Sequence, residues 1–423
     1  MRRGNYGKNQ LQWSPKMNNI FEIKNCEVCG NDNLTTVLNL GSHPLCDDLV
    51  PVGDDRICRE YPIEILFCAN CVTAHQRFQI PKKELFKATY HYRARFTADV
   101  LNGMQSLVDV CEKHINGLHN KKILDIGCND GSLLDFFKAK GSITIGVEPT
   151  DAYLDAKENG HHVYNDFLSI ALAETILKTH GKPDIITFTN VFAHIENLRE
   201  VIEALKILKS RDLVIVIENH YLGSVLDRNQ FDTFYHEHPR SYSYSSFIQI
   251  AKSIDMTLQK VEFPSRYGGN IRVMMGANHF EFPVQHEEII LEEKNYLNKF
   301  TIMRTNIDKW TEKKGQLIKS LKEKNEKLIG KAFPGRAAIL IKMLGIDEAV
   351  ISAVFEKPGS MKIGHYIPGT RIPILSDDVL FTDIRKNSSI MNFAWHIASE
   401  IKSYLLMNGM NGKVIDVLAA EDF

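Results

Sequence analysis

The sequence predicts an α/β protein with a small N-terminal metal-binding domain, a central Rossmann-like domain and a smaller C-terminal Rossmann-like domain. Three observations predict this class. Two C-x2-C pairs lie near the N-terminus, apolar β-rich runs alternate with helical spacing in the middle of the chain, and the alternation returns after residue 330. Because 423 residues exceed one ordinary core, we expect several domains.

The expected parts follow one another along the chain. We predict a flexible lead at 1–20, a metal-binding domain at 21–88, a Rossmann-like domain at 89–284, and a helical connector with the C-terminal domain at 285–423. The connector is charged, but its apolar residues recur at i, i+3 and i+4, which indicates a helix with one packed face.

Composition narrows the classes of partner. A net charge of −1 offers no electrostatic attraction for nucleic acid or an anionic membrane. No apolar run approaches the roughly 18 residues of a membrane span, and the first twenty residues lack the apolar stretch of a signal peptide. We therefore expect a cytoplasmic protein. The oligomeric state stays open, with a monomer as one option.

Four cysteines predict a structural zinc site. Cys26 and Cys29 form one C-x2-C pair, and Cys68 and Cys71 form the other. Two such turns fill a tetrahedral zinc shell and leave no position for water. The alternative is four unliganded buried cysteines. Substitute ligands would be Cys46, Cys58, His43 and His75, whereas Cys111 and Cys128 are expected in the core.

The central domain begins with a strand, a glycine turn and a helix. Residues 122–126 are apolar, the letters GCNDG supply the turn, and a helical pattern starts near Ser132. The turn is neither G-x-G-x-x-G nor a P-loop. Glu148 ends the next strand, where an acid can accept both hydroxyls of a ribose. Further strands are predicted at 184–190 and 212–219.

D-x-G-C-x-x-G followed by this acid resembles the class I methyltransferases, which bind S-adenosylmethionine (SAM). An NAD-binding domain that has lost its glycines is the alternative. The resemblance implies that SAM is bound by residues of the turn, of the following strand ends and of the NDF segment. These residues are Asp125, Gly127, Asn129, Gly131, Glu148, Asn165, Asp166 and Asn190.

A second cluster of proton-carrying groups lies in the letters FYHEHP. Tyr235, His236, Glu237 and His238 are consecutive, and the aromatic residues around them suggest burial. Buried ionisable groups need partners or a function. A turn at this place would let Tyr235 and His238 converge. A polar loop around a second metal is the alternative reading.

The chain resembles the sugar C-methyltransferases in the order of its motifs. These motifs are CxxC…CxxC, LDIGCNDGSLL, NVFAHIEN, FDTFYHEHPRSYS, GGNIRV and AWHIASEI. The substrates of this family are nucleotide-linked keto-sugars, which here would be dTDP- or GDP-linked. The resemblance implies a zinc domain, a SAM domain and a C-terminal domain with the sugar between them. It also implies active-site roles for His194, Tyr235, Glu237, His238 and one of Tyr90 and Tyr92.

The chain departs from the family pattern at several positions. Tyr267 and Asn270 stand where His and Ser are usual, and His396 stands where Asn is usual. The loop with Glu356 and Lys357 replaces DDNPAK, and a lysine is missing from FPGRAAILIKML. These differences fall mostly in the sugar-nucleotide half, so they bear on the substrate more than on the reaction type.

Carbon methylation next to a ketone needs a base, donors for the enolate oxygen and a fixed methyl donor. We predict His238 as the base and Tyr235 and His194 as the donors. Glu237 would orient an imidazole, and His236 would be structural. Two other functions are considered: an O- or N-methyltransferase acting on a nucleotide sugar, and a non-catalytic binding protein built on the same folds.

Overall fold

The computed structural model describes residues 20–86, 93–96, 98–277, 285–381 and 387–423. The predicted lead and the two tyrosines Tyr90 and Tyr92 therefore lie outside the described residues, apart from the last residue of the lead.

The N-terminal part is built on an antiparallel sheet. Its elements are β1 Phe21–Glu22, β2 Thr35–Pro44, β3 Val50–Pro51, β4 Glu60–Cys68, β5 Thr73–Gln76, β6 Phe78–Gln79 and α1 Lys82–Leu85. The larger sheet has the order β12-β5-β4-β2, in which β12 (Arg240–Ser241) comes from the central part of the chain. One strand of the metal-binding domain's sheet is thus supplied by the segment that follows the YHEH letters.

The central part alternates strands and helices, as predicted. Its sheet has the order β13-β14-β11-β10-β7-β8-β9. The strands β9, β8, β7, β10 and β11 are parallel, whereas β14 and β13 form an antiparallel hairpin at one edge. The elements are α2 Ala98–His114, β7 Lys122–Ile126, α3 Ser132–Ala139, β8 Ile143–Val147, α4 Tyr153–Glu158, β9 His162–Tyr164, α5 Ile170–His180, β10 Ile185–Thr189, α6 Leu198–Leu208, β11 Val214–His220, α7 Leu222–Asp227, β12 Arg240–Ser241, α8 Tyr244–Ser253, β13 Thr257–Glu262 and β14 Asn270–Gly276.

Both faces of this sheet are buried. Along β7, Leu124 and Ile126 pack into one apolar cluster, and Ile123 packs into the cluster on the opposite face. Side chains alternate across a strand, so a strand that is apolar throughout needs helices on both sides. The result is the doubly wound arrangement that the sequence predicted, closed at one edge by the hairpin.

The C-terminal part contains a second, parallel sheet of order β18-β16-β15-β19-β20. The predicted connector is two helices, α9 and the long α10. The elements are α9 Gln285–Glu293, α10 Tyr296–Lys324, β15 Leu328–Lys331, α11 Ala337–Met343, β16 Ile351–Glu356, β17 His365–Tyr366, β18 Ile374–Ser376, α12 Asp377–Leu380, β19 Ile390–Asn392, α13 Ala398–Met407 and β20 Val414–Asp416. The α/β class with two Rossmann-like parts is confirmed.

One apolar core joins the N-terminal and C-terminal parts. It contains Phe67 of β4, Leu222 of α7, Phe300 and Trp310 of α10, and Ile374 of β18. The N-terminal part thus shares an apolar core with the C-terminal part. No helix in the described part of the chain has the length and apolar character needed to cross a membrane.

Candidate active site

A cavity of about 300 Å³ opens at the carboxyl ends of the parallel strands. Asn129 follows β7, Glu148 follows β8, Asn190 follows β10 and His220 ends β11, and all four line its wall. In open α/β sheets, ligands bind at this edge, where loops from neighbouring strands meet. The SAM motif and the YHEH turn share this single cavity, because Tyr235 also lines it.

The glycine turn brings backbone close to the ligand space. Gly127 has a φ of 70°, and a Cβ there would lie 2.5 Å from a methyl carbon of Val191. Gly131 has a φ of 82° and immediately precedes α3, but it does not line the cavity. Glycine at 127 is therefore required both by the left-handed backbone and by the space.

Two buried acids flank the turn. Asp125 accepts a hydrogen bond from Thr187 Oγ1 at 2.7 Å, yet burial raises the pKa of its carboxyl to about 7. Glu148 accepts from the Asn129 amide at 3.0 Å and from Thr150 Oγ1 at 2.6 Å. Burial also raises the pKa of Glu148, and these bonds oppose the rise. Both carboxyls reach the cavity wall.

Some of the asparagines predicted to bind SAM line the cavity, and one lies behind its wall. Asn129 and Asn190 line the cavity and have left-handed backbone, with φ of 51° and 55°. Asp166 lines it as well, next to Phe167. Asn165 lies behind the wall, where its Nδ2 donates to the Glu148 carbonyl at 2.9 Å. Buried acids, close backbone and an apolar floor together fit the cationic groups and the adenosine of SAM.

The four predicted zinc cysteines converge. The sulfurs of Cys26, Cys29, Cys68 and Cys71 all lie within 4.8 Å of one another. Cys26 and Cys71 are 3.4 Å apart and Cys29 and Cys68 are 3.6 Å apart. Zn–S bonds of about 2.3 Å in a tetrahedron need sulfurs about 3.8 Å apart, so this set fits zinc.

The substitute ligands considered from the sequence lie outside this set of four sulfurs. His75 is the nearest, with Nε2 3.3 Å from Cys26 Sγ. Amide groups of Asn31 and Asn70 point at two of the sulfurs, at 3.5 Å from Cys68 and 3.3 Å from Cys29. Such donors to thiolates orient the ligands of a metal site.

The YHEH segment is a tight turn. The His238 amide donates to the Tyr235 carbonyl at 2.9 Å, and the two rings lie 4.2 Å apart, centre to centre. The Nδ1 of His238 lies 3.0 Å from the Thr233 carbonyl. A proton on Nδ1 makes this hydrogen bond and leaves the lone pair of Nε2 for another partner. The convergence of Tyr235 and His238 is as the sequence predicted.

The other two members of the segment have different surroundings. His236 faces away from the cavity, with Nε2 3.0 Å from the Tyr61 carbonyl. Glu237 is buried, and after burial its charge is the largest influence that raises the pKa of Tyr235. The sequence assigned the orientation of an imidazole to Glu237; at His238 the Thr233 carbonyl contacts Nδ1.

His194 lies beside His238, with ring centres 4.8 Å apart. Its Nδ1 lies 2.7 Å from the Glu237 carbonyl, and the ring also interacts with the Asn190 backbone. Burial lowers the pKa of His194 to about 4 and that of His238 well below its usual range. Both imidazoles are therefore neutral near pH 7, and raised pKa keeps the Tyr235 hydroxyl protonated.

Two residues of this site escaped the sequence analysis. His220 ends β11 and its ring lies 5.4 Å from that of His238. Arg336, which precedes α11, donates from Nη1 to Thr233 Oγ1 at 3.0 Å. A polar residue at the carboxyl end of a predicted strand was a usable signal for His220, whereas nothing local to Arg336 indicates where its guanidinium lies.

The metal-binding part holds the YHEH turn through hydrogen bonds. Gln76 of β5 donates from Nε2 to the carbonyls of Phe234 and Tyr235 at 3.1 and 3.2 Å. The fully buried Arg240 of β12 donates to Glu27 at 2.6 Å, and Glu27 lies between the first two zinc cysteines in sequence. The zinc site and the turn are thus linked by one ion pair and one strand pairing.

Family comparisons match consecutive parts of the chain. A zinc binding domain model matches residues 26–86, a methyltransferase domain model matches 94–261, and a model described as the C-methyltransferase C-terminal domain matches 265–415.

Individual proteins show likeness over different lengths. C-methyltransferase NovU from Streptomyces niveus is 26% identical over 390 residues, which are 90% of this chain and 92% of NovU. Ubiquinone biosynthesis O-methyltransferase from Glaesserella parasuis serovar 5 (strain SH0165) is 35% identical over 112 residues, 24% of this chain and 46% of that enzyme. Among solved structures, the magnesium protoporphyrin IX methyltransferase ChlM from Synechocystis PCC 6803 with bound SAH matches 42% of this chain and 82% of its own, with 14% identity and a TM-score of 0.33.

Proposed function

This chain belongs to the SAM-dependent C-methyltransferase family, and we propose that it methylates the carbon next to the ketone of a nucleotide-linked keto-sugar. The observation that carries the proposal is the shared cavity. The neutral imidazole of His238 has its Nδ1 against the Thr233 carbonyl and lies in the same cavity as the SAM-motif acids Asp125 and Glu148. A base within reach of a methyl donor is what carbon methylation requires.

His238 removes the proton next to the ketone. The proton goes to Nε2, because Nδ1 carries the one bonded to Thr233. The electron pair of the broken C–H bond moves toward the ketone oxygen, where the Tyr235 hydroxyl donates a hydrogen bond. His194 was predicted for this oxygen; its contact with the Glu237 carbonyl supports a role in holding the turn instead. Tyr90 or Tyr92 stays a prediction.

SAM supplies an electrophilic methyl group to the enolate carbon. The residues that hold it in this proposal are the eight of the motif: Asp125, Gly127, Asn129, Gly131, Glu148, Asn165, Asp166 and Asn190. Glu148 would accept the hydroxyls of the ribose, and the Asp125 carboxylate would attract the positively charged part of the molecule. Gly131 and Asn165 act from behind the wall, by shaping the turn and by bonding the Glu148 carbonyl.

The other two parts have supporting roles in this proposal. Zinc at the four cysteines is structural, since four sulfurs fill the tetrahedral shell. The C-terminal part binds a dTDP or GDP moiety, and 21–88, 89–284 and 285–423 are the proposed domain bounds. Neither nucleic acid nor a membrane is a partner in this proposal.

The test compares a ketone with its alcohol. Purified protein is incubated with SAM and dTDP- or GDP-linked 4-keto-6-deoxyhexoses, and separately with the corresponding sugars in which the ketone is reduced. We expect methyl transfer to a keto-sugar alone, because only a ketone makes the neighbouring carbon acidic. An O-methyltransferase, the rival suggested by the match over 112 residues, would methylate the reduced sugar as well, and that result would refute the proposal.

A further inference from the structure

His220 occupies a position in the cavity that the proposed mechanism has not yet used. It is the last residue of β11 and pairs with Asn270 of β14. Its ring lies between two others, 5.4 Å from His238 and 5.7 Å from Tyr267, centre to centre. Because all three rings line the cavity, His220 borders the space in which the reacting carbon must lie.

The His220 ring is free to bind a ligand, whereas the His194 ring is engaged by backbone. His194 Nδ1 lies 2.7 Å from the Glu237 carbonyl. Within the part of the chain that the structure describes, no hydrogen bond engages the His220 ring, although the ring is largely enclosed by protein. An enclosed polar group without a partner is unfavourable unless a ligand satisfies it.

Burial, with a smaller contribution from nearby charges, sets the protonation state of His220. Burial, followed by Arg336, His194 and Arg266, lowers the pKa of His220 to about 3. The ring is therefore a neutral imidazole near pH 7, with one N–H to donate and one nitrogen to accept. A neutral imidazole is suited to polarising a ketone, because it donates a hydrogen bond without losing its proton.

The reaction needs such a donor. His238 is a weak base here, since burial and the neighbouring His194 and His220 lower its pKa well below the usual range. A weak base removes a carbon-bound proton at a useful rate only if the enolate oxygen is strongly stabilised. Tyr235, which also lines the cavity, provides one donor, and a second donor would complete the pair.

Tyr267 lies beside His220 on the wall of the cavity. Its backbone has a φ of 52°, an uncommon conformation for a bulky residue, and its ring packs toward His220.

We propose that His220 is a further catalytic residue, which donates a hydrogen bond to the ketone oxygen of the substrate and to the enolate oxygen that forms from it. This rests on the proposed function. With Tyr235 it makes a two-donor site for the oxygen, in the cavity that the proton-accepting His238 also lines. His194 holds the turn through its Nδ1 contact with the Glu237 carbonyl.

The test compares three variants of the whole zinc-loaded protein. His220→Leu removes the donor, and His220→Gln keeps an N–H group near the position of imidazole Nε2. The control is His162→Leu on the edge strand β9, where the histidine is exposed. Methyl transfer to dTDP- and GDP-linked 4-keto-6-deoxyhexoses is measured at saturating SAM, with SAM affinity by calorimetry and the melting temperature as checks on folding.

We expect His220→Leu to lower kcat by roughly 100- to 1,000-fold, as the loss of one oxyanion donor typically does. His220→Gln should recover at least about tenfold of that loss, and SAM affinity should stay within about twofold in both. The control should keep wild-type kcat. Exchange of the acidic hydrogen in deuterated water should fall in parallel with methyl transfer.

Two results would overturn the inference, and they differ from each other. If the wild type methylates a keto-sugar and folded His220→Leu does so equally fast, His220 has no part in the reaction, and the proposed function stands. If the wild type binds SAM but methylates no keto-sugar, the proposed function is wrong, and this role falls with it.

Discussion

Burial decides what each ionisable group of the cavity can do. It keeps the imidazoles of His194, His220 and His238 neutral, so that each offers a lone pair and one N–H near pH 7. It raises the pKa of the Asp125 carboxyl to about 7 and keeps the Tyr235 hydroxyl protonated. The site thus contains neutral hydrogen-bonding groups on the substrate side and titrating acids on the SAM side.

The first prediction concerns the base. His238→Asn keeps hydrogen bonding at a similar size but cannot accept a proton near pH 7. It should abolish both hydrogen exchange of a keto-sugar in deuterated water and methyl transfer, while SAM affinity stays within about threefold. Tyr235→Phe should slow both by roughly 100- to 1,000-fold. If the His238 variant exchanges the hydrogen of the keto-sugar as fast as the wild type, the base is another residue.

The second prediction concerns pH. The pKa of Asp125 is raised to about 7 in the free protein, and the cationic SAM favours the carboxylate. SAM affinity should therefore fall as pH drops from 8 to 6, by at most about tenfold per unit below 7. Calorimetry of wild type and Asp125→Asn measures this. The variant should lose the dependence between pH 6 and 7, and equal slopes in the two proteins would contradict the assignment.

The sequence was sufficient to predict site residues that occur in short motifs. The two cysteine pairs form the cluster of four sulfurs, and residues of the glycine turn and of the YHEH segment line the cavity. His220 and Arg336 escaped because their roles arise from pairing between elements distant in sequence. The contact of the Thr233 carbonyl with His238 escaped for a related reason, since a backbone carbonyl leaves no mark in the letters.

At the scale of elements, strand β12 connects the metal-binding part to the active-site turn. It pairs Arg240 with His75 and Ser241 with Ala74 of β5. The Arg240 guanidinium is fully buried and donates to Glu27 at 2.6 Å. The sequence could not predict this strand, because two residues that follow a turn carry no β periodicity.

The third prediction tests this connection. Arg240→Met should lower the free energy of unfolding by about 3–5 kcal/mol, because it leaves the Glu27 charge largely buried without its partner. Adding Glu27→Gln should recover part of the loss. Arg77→Met is the control, since the partly exposed Arg77 pairs with Glu22 and Glu64, and exposed pairs contribute about 0–1 kcal/mol each.

Chemical denaturation measures all three effects of the third prediction. Equal losses of unfolding free energy for Arg240→Met and Arg77→Met would show that the buried ion pair stabilises the fold no more than the exposed ones. If the connection also positions the turn, Arg240→Met should lower kcat while SAM affinity is kept, since the SAM motif lies on other strands.

In the whole molecule, the metal-binding part and the C-terminal part share one hydrophobic core. Phe67 of the metal-binding part and Phe300 of α10 contact each other in the core that reaches the C-terminal sheet, with ring centres 5.5 Å apart. Arg336 brings a C-terminal cation to the turn before the YHEH letters. The sequence predicted the order of the three parts, but not this common core, because apolar residues do not indicate which distant residues they will meet.

The fourth prediction concerns zinc. The protein should carry about one zinc per chain, and Cys29→Ser should lower both zinc content and melting temperature. Because β5 pairs with β12, methyl transfer should fall further than SAM affinity. Cys58→Ser is the control, since Cys58 is buried outside the cluster of four sulfurs. A metal-free protein with unchanged melting and activity would contradict the structural role of the metal.

The position of the transferred methyl group on the product tests the proposed reaction most directly. A ¹³C-labelled keto-sugar nucleotide is incubated with SAM that carries a ¹³C methyl group, and the product is examined by NMR. We predict a one-bond ¹³C–¹³C coupling between the new methyl carbon and the sugar carbon next to the ketone. A methyl signal without that coupling, at the chemical shift of a methyl ether or a methylamine, would contradict it.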